Sequence, residues 1–343
     1  MMIKRLVMLV LVASSCVESY EPGIELNASY IVVTGGISDI SATSVKVERT
    51  VAINTNDLST GSEVNEAITG LQITLYDEDG PQEVLLDQGD GNYAGVSVGV
   101  VGRAYHIQIL MPNGDQIVSS PQTLKPGPEV ADLLLEQFTE LEQVGNNEIG
   151  VDGLNLNLYM NQSEVISHYY KWTLHGTYEF QAPAVPGFSC YVNDGYFGFF
   201  GLAESISSDK DLFSKRLIFL EPNGRKFSIG YSIEVSQYTM TDDAYNYWKK
   251  IDDQQNNVGS VFDSPPARIE GNLSYSDKEE TILGFFEVNS IRKKRLFINP
   301  TDFAESPILA TAACAPEKLN PPDWCSDCTA LPSSTSKKPI FWP

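Results

Sequence analysis

The stretch "LQITLYDEDGPQEVLL", Leu71 to Leu86, decides the fold class. Leu71, Ile73 and Leu75 alternate with polar neighbours, and apolar residues return at Val84 to Leu86 after Asp79-Gly80. A period of two sends alternate side chains to opposite faces of an extended strand. Asp-Gly between two such runs marks a hairpin, because these residues accept the backbone angles of a tight turn. Working outward, "YIVVTGGIS" (30–38) and "SVKVERTVAI" (44–53) read as strands separated by Gly35-Gly36. "DGNYAGVSVGV" (90–100) and "RAYHIQILMPNGDQIVSS" (103–120) continue the pattern, with a further turn at Asn113-Gly114. Short strands at this spacing predict a β-sandwich over residues 22–125. Pro126-Gly127-Pro128 marks its expected boundary.

Residues 129–343 predict a larger, β-rich and more aromatic second domain. "HYYKWTLHGTYEF" (168–180), "RLIFL" (216–220), "KFSIGYSIEVSQYTM" (226–240) and "TILGFFEV" (281–288) read as strands. One segment has helical spacing instead. Ala244, Tyr247, Trp248 and Ile251 fall on one face of a helix over Asp242–Gln255, with Thr241 or Asp242 as N-cap. "GSVFDSPPARIEGN" (259–272) then reads as a loop around Pro265-Pro266. The fold class is mainly β.

The N-terminus places Lys4 and Arg5 before an apolar run, Leu6 to Ala13, and then Ala13-Ser14-Ser15-Cys16. That order is a secretory signal, too short to span a bilayer. A cysteine directly after the small residues makes residues 1–15 a lipoprotein signal and Cys16 the lipidation site. The formal net charge of −22 sets the chain against nucleic acid and bare anionic lipid. With Cys16 lipidated, Cys190, Cys314, Cys325 and Cys328 remain, an even number in an oxidising compartment. Two disulfides tying the C-terminal tail to the second domain are expected, rather than a zinc or redox site. Three pairings are open, and Cys325 with Cys328 is the least attractive because so small a loop gains little entropy.

No motif demands catalysis. Gly95-Val96-Ser97-Val98-Gly99 fits G-x-S-x-G but lacks the following helix that exposes a catalytic serine. His106, His168 and His175 lack metal-ligand spacing. No catalytic residue, metal or cofactor is assigned. Tyr245, Trp248 and Phe262, beside the turn-rich 256–268 loop, are the candidate partner contacts; Tyr245 lies off the helical stripe, whereas Trp248 lies on it.

The block "YWKKIDDQQNNVGSVFDSPPARIEGNLSYSDKEETILGFFEVNSIRKKRLFI" (247–298) and the Cys-x-x-Cys-Thr tail ending in Phe341-Trp342 resemble a known family, and so does the N-terminal half. They are similar to the Bacteroidota lipoproteins grouped as domain of unknown function 4249. The resemblance implies a lipid-anchored outer-membrane lipoprotein with an immunoglobulin-like or transthyretin-like N-terminal domain, in the company of a TonB-dependent transporter. Glu18 and Glu21, just after Cys16, add the expectation that it faces outward. It carries over no catalytic residue. The expected function is therefore non-enzymatic: assistance to such a transporter in ligand capture or uptake, with the ligand open. A structural or adhesive envelope protein, or a hydrolase with an unrecognised site, are the alternatives.

Overall fold

The computed structural model describes residues 29–51, 65–145, 147–161, 169–204, 212–256, 268–309, 311–315, 317 and 319–343. It is mainly β, as expected. Two groups of strands leave one shared strand, β18 (Thr281–Ile298), which at ~3.3 Å per residue is about 60 Å long.

The first group begins with β1 (Ile31–Ser38), which lies parallel to the first half of β18, Ile31 opposite Ile282 and Ser38 opposite Asn289. Outside β1 follow β2 (Ala42–Thr50), β3 (Asn65–Ala67), β6 (Leu86–Gly89) and β7 (Asn92–Val98). On β18's other connection run β17 (Glu270–Tyr275), β9 (Gln116–Ser119), β8 (Ala104–Leu110), β4 (Gln72–Asp77) and β5 (Gly80–Val84), with β10 (Gln122–Thr123) beside β8. The two arms enclose an aliphatic core: Val33 and Val47 from one, Ile73, Leu75, Ile107, Ile109 and Ile117 from the other. Phe286 and Val288 of β18, from far along the chain, complete it. The Leu71–Leu86 hairpin forms as read, Asp77 opposite Gly80.

Gly35-Gly36 does not separate two strands. Both glycines lie inside β1, and the chain turns at 39–41. Close approach is the reason. Gly35 has φ +153°, and a Cβ there would stand 2.2 Å from the Ser44 carbonyl; one at Gly36 would stand 2.4 Å from the Glu287 carbonyl. The loop read over 259–272 also ends early, since β17 begins at Glu270.

The second group uses longer strands. β13 (Tyr169–Gln181) lies between β14 (Ser189–Glu204) and β16 (Gly230–Thr239), and β16 pairs with the second half of β18. Across a second core sits a separate sheet of β11 (Val130–Val144), β12 (Asn147–Asn161) and β15 (Leu212–Leu220). Leu154, Leu156 and Leu158 there meet Tyr170, Trp172, Phe180 and Tyr231. Among the described residues two α-helices complete the fold: a four-residue turn, α1 (Gly224–Phe227), and α2 (Asp242–Asn256). A two-residue strand, β19 (Ser334–Thr335), joins the tail to β14. No helix among the described residues is long and apolar enough to cross a membrane.

Candidate functional site

The predicted helix is present as α2, and its start follows from Thr241. The Thr241 hydroxyl accepts from the Ala244 amide at 3.3 Å, and Asp242 and Asp243 occupy the first turn, where the helix dipole favours negative charge. Ala244, Tyr247 and Trp248 pack on Met240 and Phe285, on the face of the sheet opposite the second core. α2 thus covers the seam where β18 passes from one core to the other.

A buried ion pair lies under it. Lys171 on β13 points away from the second core, as alternation with Tyr170 and Trp172 requires, and is only 5% exposed. Its Nζ donates to both Glu287 oxygens, at 2.8 and 2.9 Å. Trp248 Nε1 donates to Glu287 Oε1 at 3.0 Å, and Asn289 Nδ2 to Oε2 at 2.9 Å. The ammonium also sits 3.8 Å from the centre of the Trp248 ring and 4.9 Å from that of Tyr238. Burial pushes the Lys171 pKa below its ordinary value, while the Glu287 charge and hydrogen bond act against it. Burial raises the Tyr247 hydroxyl pKa, and the Glu287 charge adds to it.

Two hollows flank this network. One of about 300 Å³ is bordered by Gly35, Gly36, Ser44, Tyr238 and the Lys171–Glu287 pair; the side-chain-free floor of β1 leaves it open. The other, about 800 Å³, lies between α2 and the β17–β18 edge, with Asp243, Tyr247, Lys250, Glu270, Glu280 and Phe285 on its walls. Its floor is irregular because the β17–β18 ladder shifts between Glu270 and Ser274. There the Asn272 side chain stands in for a strand, accepting from Phe286 N at 2.9 Å and donating to Phe286 O at 3.0 Å. The chemistry on offer is polar contact flanked by aromatic rings. Among the described residues no three His, Cys, Asp or Glu are grouped to hold a metal ion.

Of the expected contact residues, Trp248 belongs to the Lys171–Glu287 network. Tyr245 is half-buried and stacks on Tyr169 at 4.2 Å between ring centres. Phe262 and Cys16 lie outside the described residues. Lys171 and Glu287 were not singled out from sequence, although a lysine inside the aromatic strand "HYYKWTL" is a usable signal: a charge on a buried strand requires a partner. The basic run Arg292 to Arg295 is consumed internally. Arg292 pairs with Asp39 and Glu129, Lys294 with Asp132, and Lys293 and Arg295 with Glu234. His106 lies on β8, stacked against Tyr76, and Ser97 lies on β7.

Cys190 and the three tail cysteines are paired, Cys190 with Cys328 and Cys314 with Cys325. The first bridge spans 138 residues and ties the tail to β14. Trp324 packs edge-on to Phe180, and Trp342 edge-on to Tyr191 and Phe297.

A search of curated proteins finds no match to the chain. A family model, described as a domain of unknown function (DUF4249), matches residues 17–295 and so takes in the first core, most of the second, α2 and the Lys171–Glu287 pair. The chain belongs to the DUF4249 family.

Proposed function

We propose that the protein is an exported, lipid-anchored envelope protein that works without catalysis as the accessory of a TonB-dependent outer-membrane transporter. One observation carries this reading. Four of the five cysteines are consumed in two disulfides, and Cys16 is left over. Disulfides form and persist in oxidising compartments. The leftover cysteine directly follows the charged, apolar and small-residue run of residues 4–15, where a lipoprotein signal is cut. The lipid on Cys16 holds the chain at the outer membrane and the two-core body faces outward. The hollows beside α2 then supply the polar and aromatic surface for partner or ligand contact.

The test has two arms. Cys16→Ala abolishes labelling by radioactive palmitate and moves the protein out of the membrane fraction; unchanged fractionation defeats the anchor. Purification of the tagged protein from membranes recovers a TonB-dependent channel, and its consistent absence defeats the accessory role while leaving the anchor standing.

A further inference from the structure

The β11–β12 hairpin outruns its sheet. β15 pairs with β12 only from Leu154 to Asn161, so among the described residues the ribbon is two strands wide between Phe138 and Gly153. A two-stranded ribbon is at best marginally stable alone. The first half of β11 is held from the side by Lys294, which donates to Ala131 O, and by Gln137, which donates to Asp302 O. Beyond Gln137, β12 is the only described strand that pairs with β11.

Between Phe138 and Val144 this edge has no proline, lysine or bulge to blunt it, and its only charges are Glu140 and Glu142. Leu141 is 66% exposed and Val144 54%. The charge here is one-sided: residues 130–161 contain six Asp or Glu and no Lys or Arg. Along β11, Phe138, Glu140, Glu142 and Val144 share the outward face, because Leu133 and Leu135 on the alternate positions meet the second core. Arg216 of β15 already makes the complementary contact once. It pairs with Glu140 at 2.8 Å and lies 5.1 Å from the centre of the Phe138 ring.

We propose that β11, from Phe138 to Val144, accepts an added strand from a partner protein, whose outward residues include lysine or arginine opposite Glu140 and Glu142 and apolar residues opposite Phe138 and Val144. Strand addition draws its affinity from main-chain bonds and its specificity from alternate side chains, and opposite charges directly across a ladder stabilise it. A second copy of this chain is a poor occupant, because two edges of the same acidic sequence would meet. The inference does not depend on the partner being a transporter.

The probe is a short peptide with the sequence Leu-Thr-Lys-Thr-Lys-Thr-Leu, which presents leucine, lysine, lysine and leucine in turn on one face, titrated into the full chain with hydrogen exchange followed in parallel. Binding is expected to slow exchange of the Phe138–Val144 amides and to leave those of β15 unchanged. The double variant Glu140→Lys/Glu142→Lys weakens it by about tenfold or more. The control Asp252→Lys/Asp253→Lys on α2, with the same change of charge, weakens it less than about twofold. Equal losses in both variants reduce the effect to net charge and overturn the proposal. So does binding without added protection at Phe138–Val144, or self-association through this edge.

Discussion

The two cores differ in filling and in fastening. The first is aliphatic, built on Ile73, Leu75, Ile107, Ile109 and Ile117, and most of its ladders join strands close together in sequence. The second is built on Trp172, Tyr170, Tyr231 and Phe180, on strands of nine to eighteen residues, and is closed by a tail that returns to it. That tail is rich in proline and serine and contributes one two-residue strand, so backbone pairing alone fastens little of it. Local turns can fix the first core; the second is fixed by covalent ties and ring packing.

The largest effect expected from breaking this difference comes from Cys190→Ser with Cys328→Ser. A bridge spanning 138 residues contributes about 5 kcal/mol in the chain-entropy model, against about 3 kcal/mol for the 11-residue span of Cys314–Cys325. Chemical denaturation followed by hydrogen exchange should show β13 and β14 losing protection while β4 and β8 keep theirs. Equal loss in both would mean that β18 couples the cores into one cooperative unit.

Next comes Trp172→Ala, expected to cost about 3–5 kcal/mol. It empties the second core and strands Gln237, whose amide receives Trp172 Nε1 at 3.0 Å and donates to Pro128 O at 2.8 Å. In the first core Ile107→Val should cost only about 1 kcal/mol, because one methylene is removed from an otherwise intact aliphatic packing. Urea midpoints of the two variants provide the comparison.

The seam tests how far the cores depend on each other. Glu287→Gln leaves the buried Lys171 charge without its counterpart, and removing one partner of such a pair costs about 3 kcal/mol. The double variant Lys171→Met/Glu287→Leu should recover most of that loss. If Glu287→Gln is neutral, the pair does not hold α2 and β13 to β18.

These contrasts also explain what the sequence could and could not disclose. The hairpin at Asp79-Gly80 and helix α2 were legible because their signals are local: alternation, turn residues and an N-cap. The strands β11 and β12 escaped reading. "LLLEQFTELEQ" does not alternate cleanly and is rich in leucine, glutamate and glutamine, which are good helix formers. Tertiary packing of Leu133 and Leu135 against the second core overrides that preference. Two disulfides were legible from the count of cysteines, but their pairing depends on where the tail lies. The Lys171–Glu287 pair joins residues 116 positions apart, and the partner of a buried charge is settled by register alone.

The smallest effect separates the cores by acid. Asp77, Glu83, Asp87 and Asp115, all around the first core, are held below the usual carboxylate pKa. For Asp77 and Glu83 burial works in the opposite direction and is outweighed: Asp77 accepts from the Asp79 amide and from Arg103, and Glu83 from the amides of Ser97 and Val96. The amides of Gly70 and Gly89 lower Asp87, and Lys278 lowers Asp115. A carboxylate whose pKa is lower in the folded than in the unfolded chain takes up its proton first on unfolding. Its stabilisation is therefore full above the unfolded value, near 4, and fades as pH falls through the folded one. In the tail, the hydroxyl and amide of Thr329 hold Asp327 low in the same way. Acidification from about pH 5 to pH 2 should therefore loosen β4, β7 and β8 before β13 and β16. Asp77→Asn should flatten part of that pH slope without changing protection in β13. If amide exchange rises first in β13 and β16, the division between a locally fastened core and a covalently fastened one does not extend to acid.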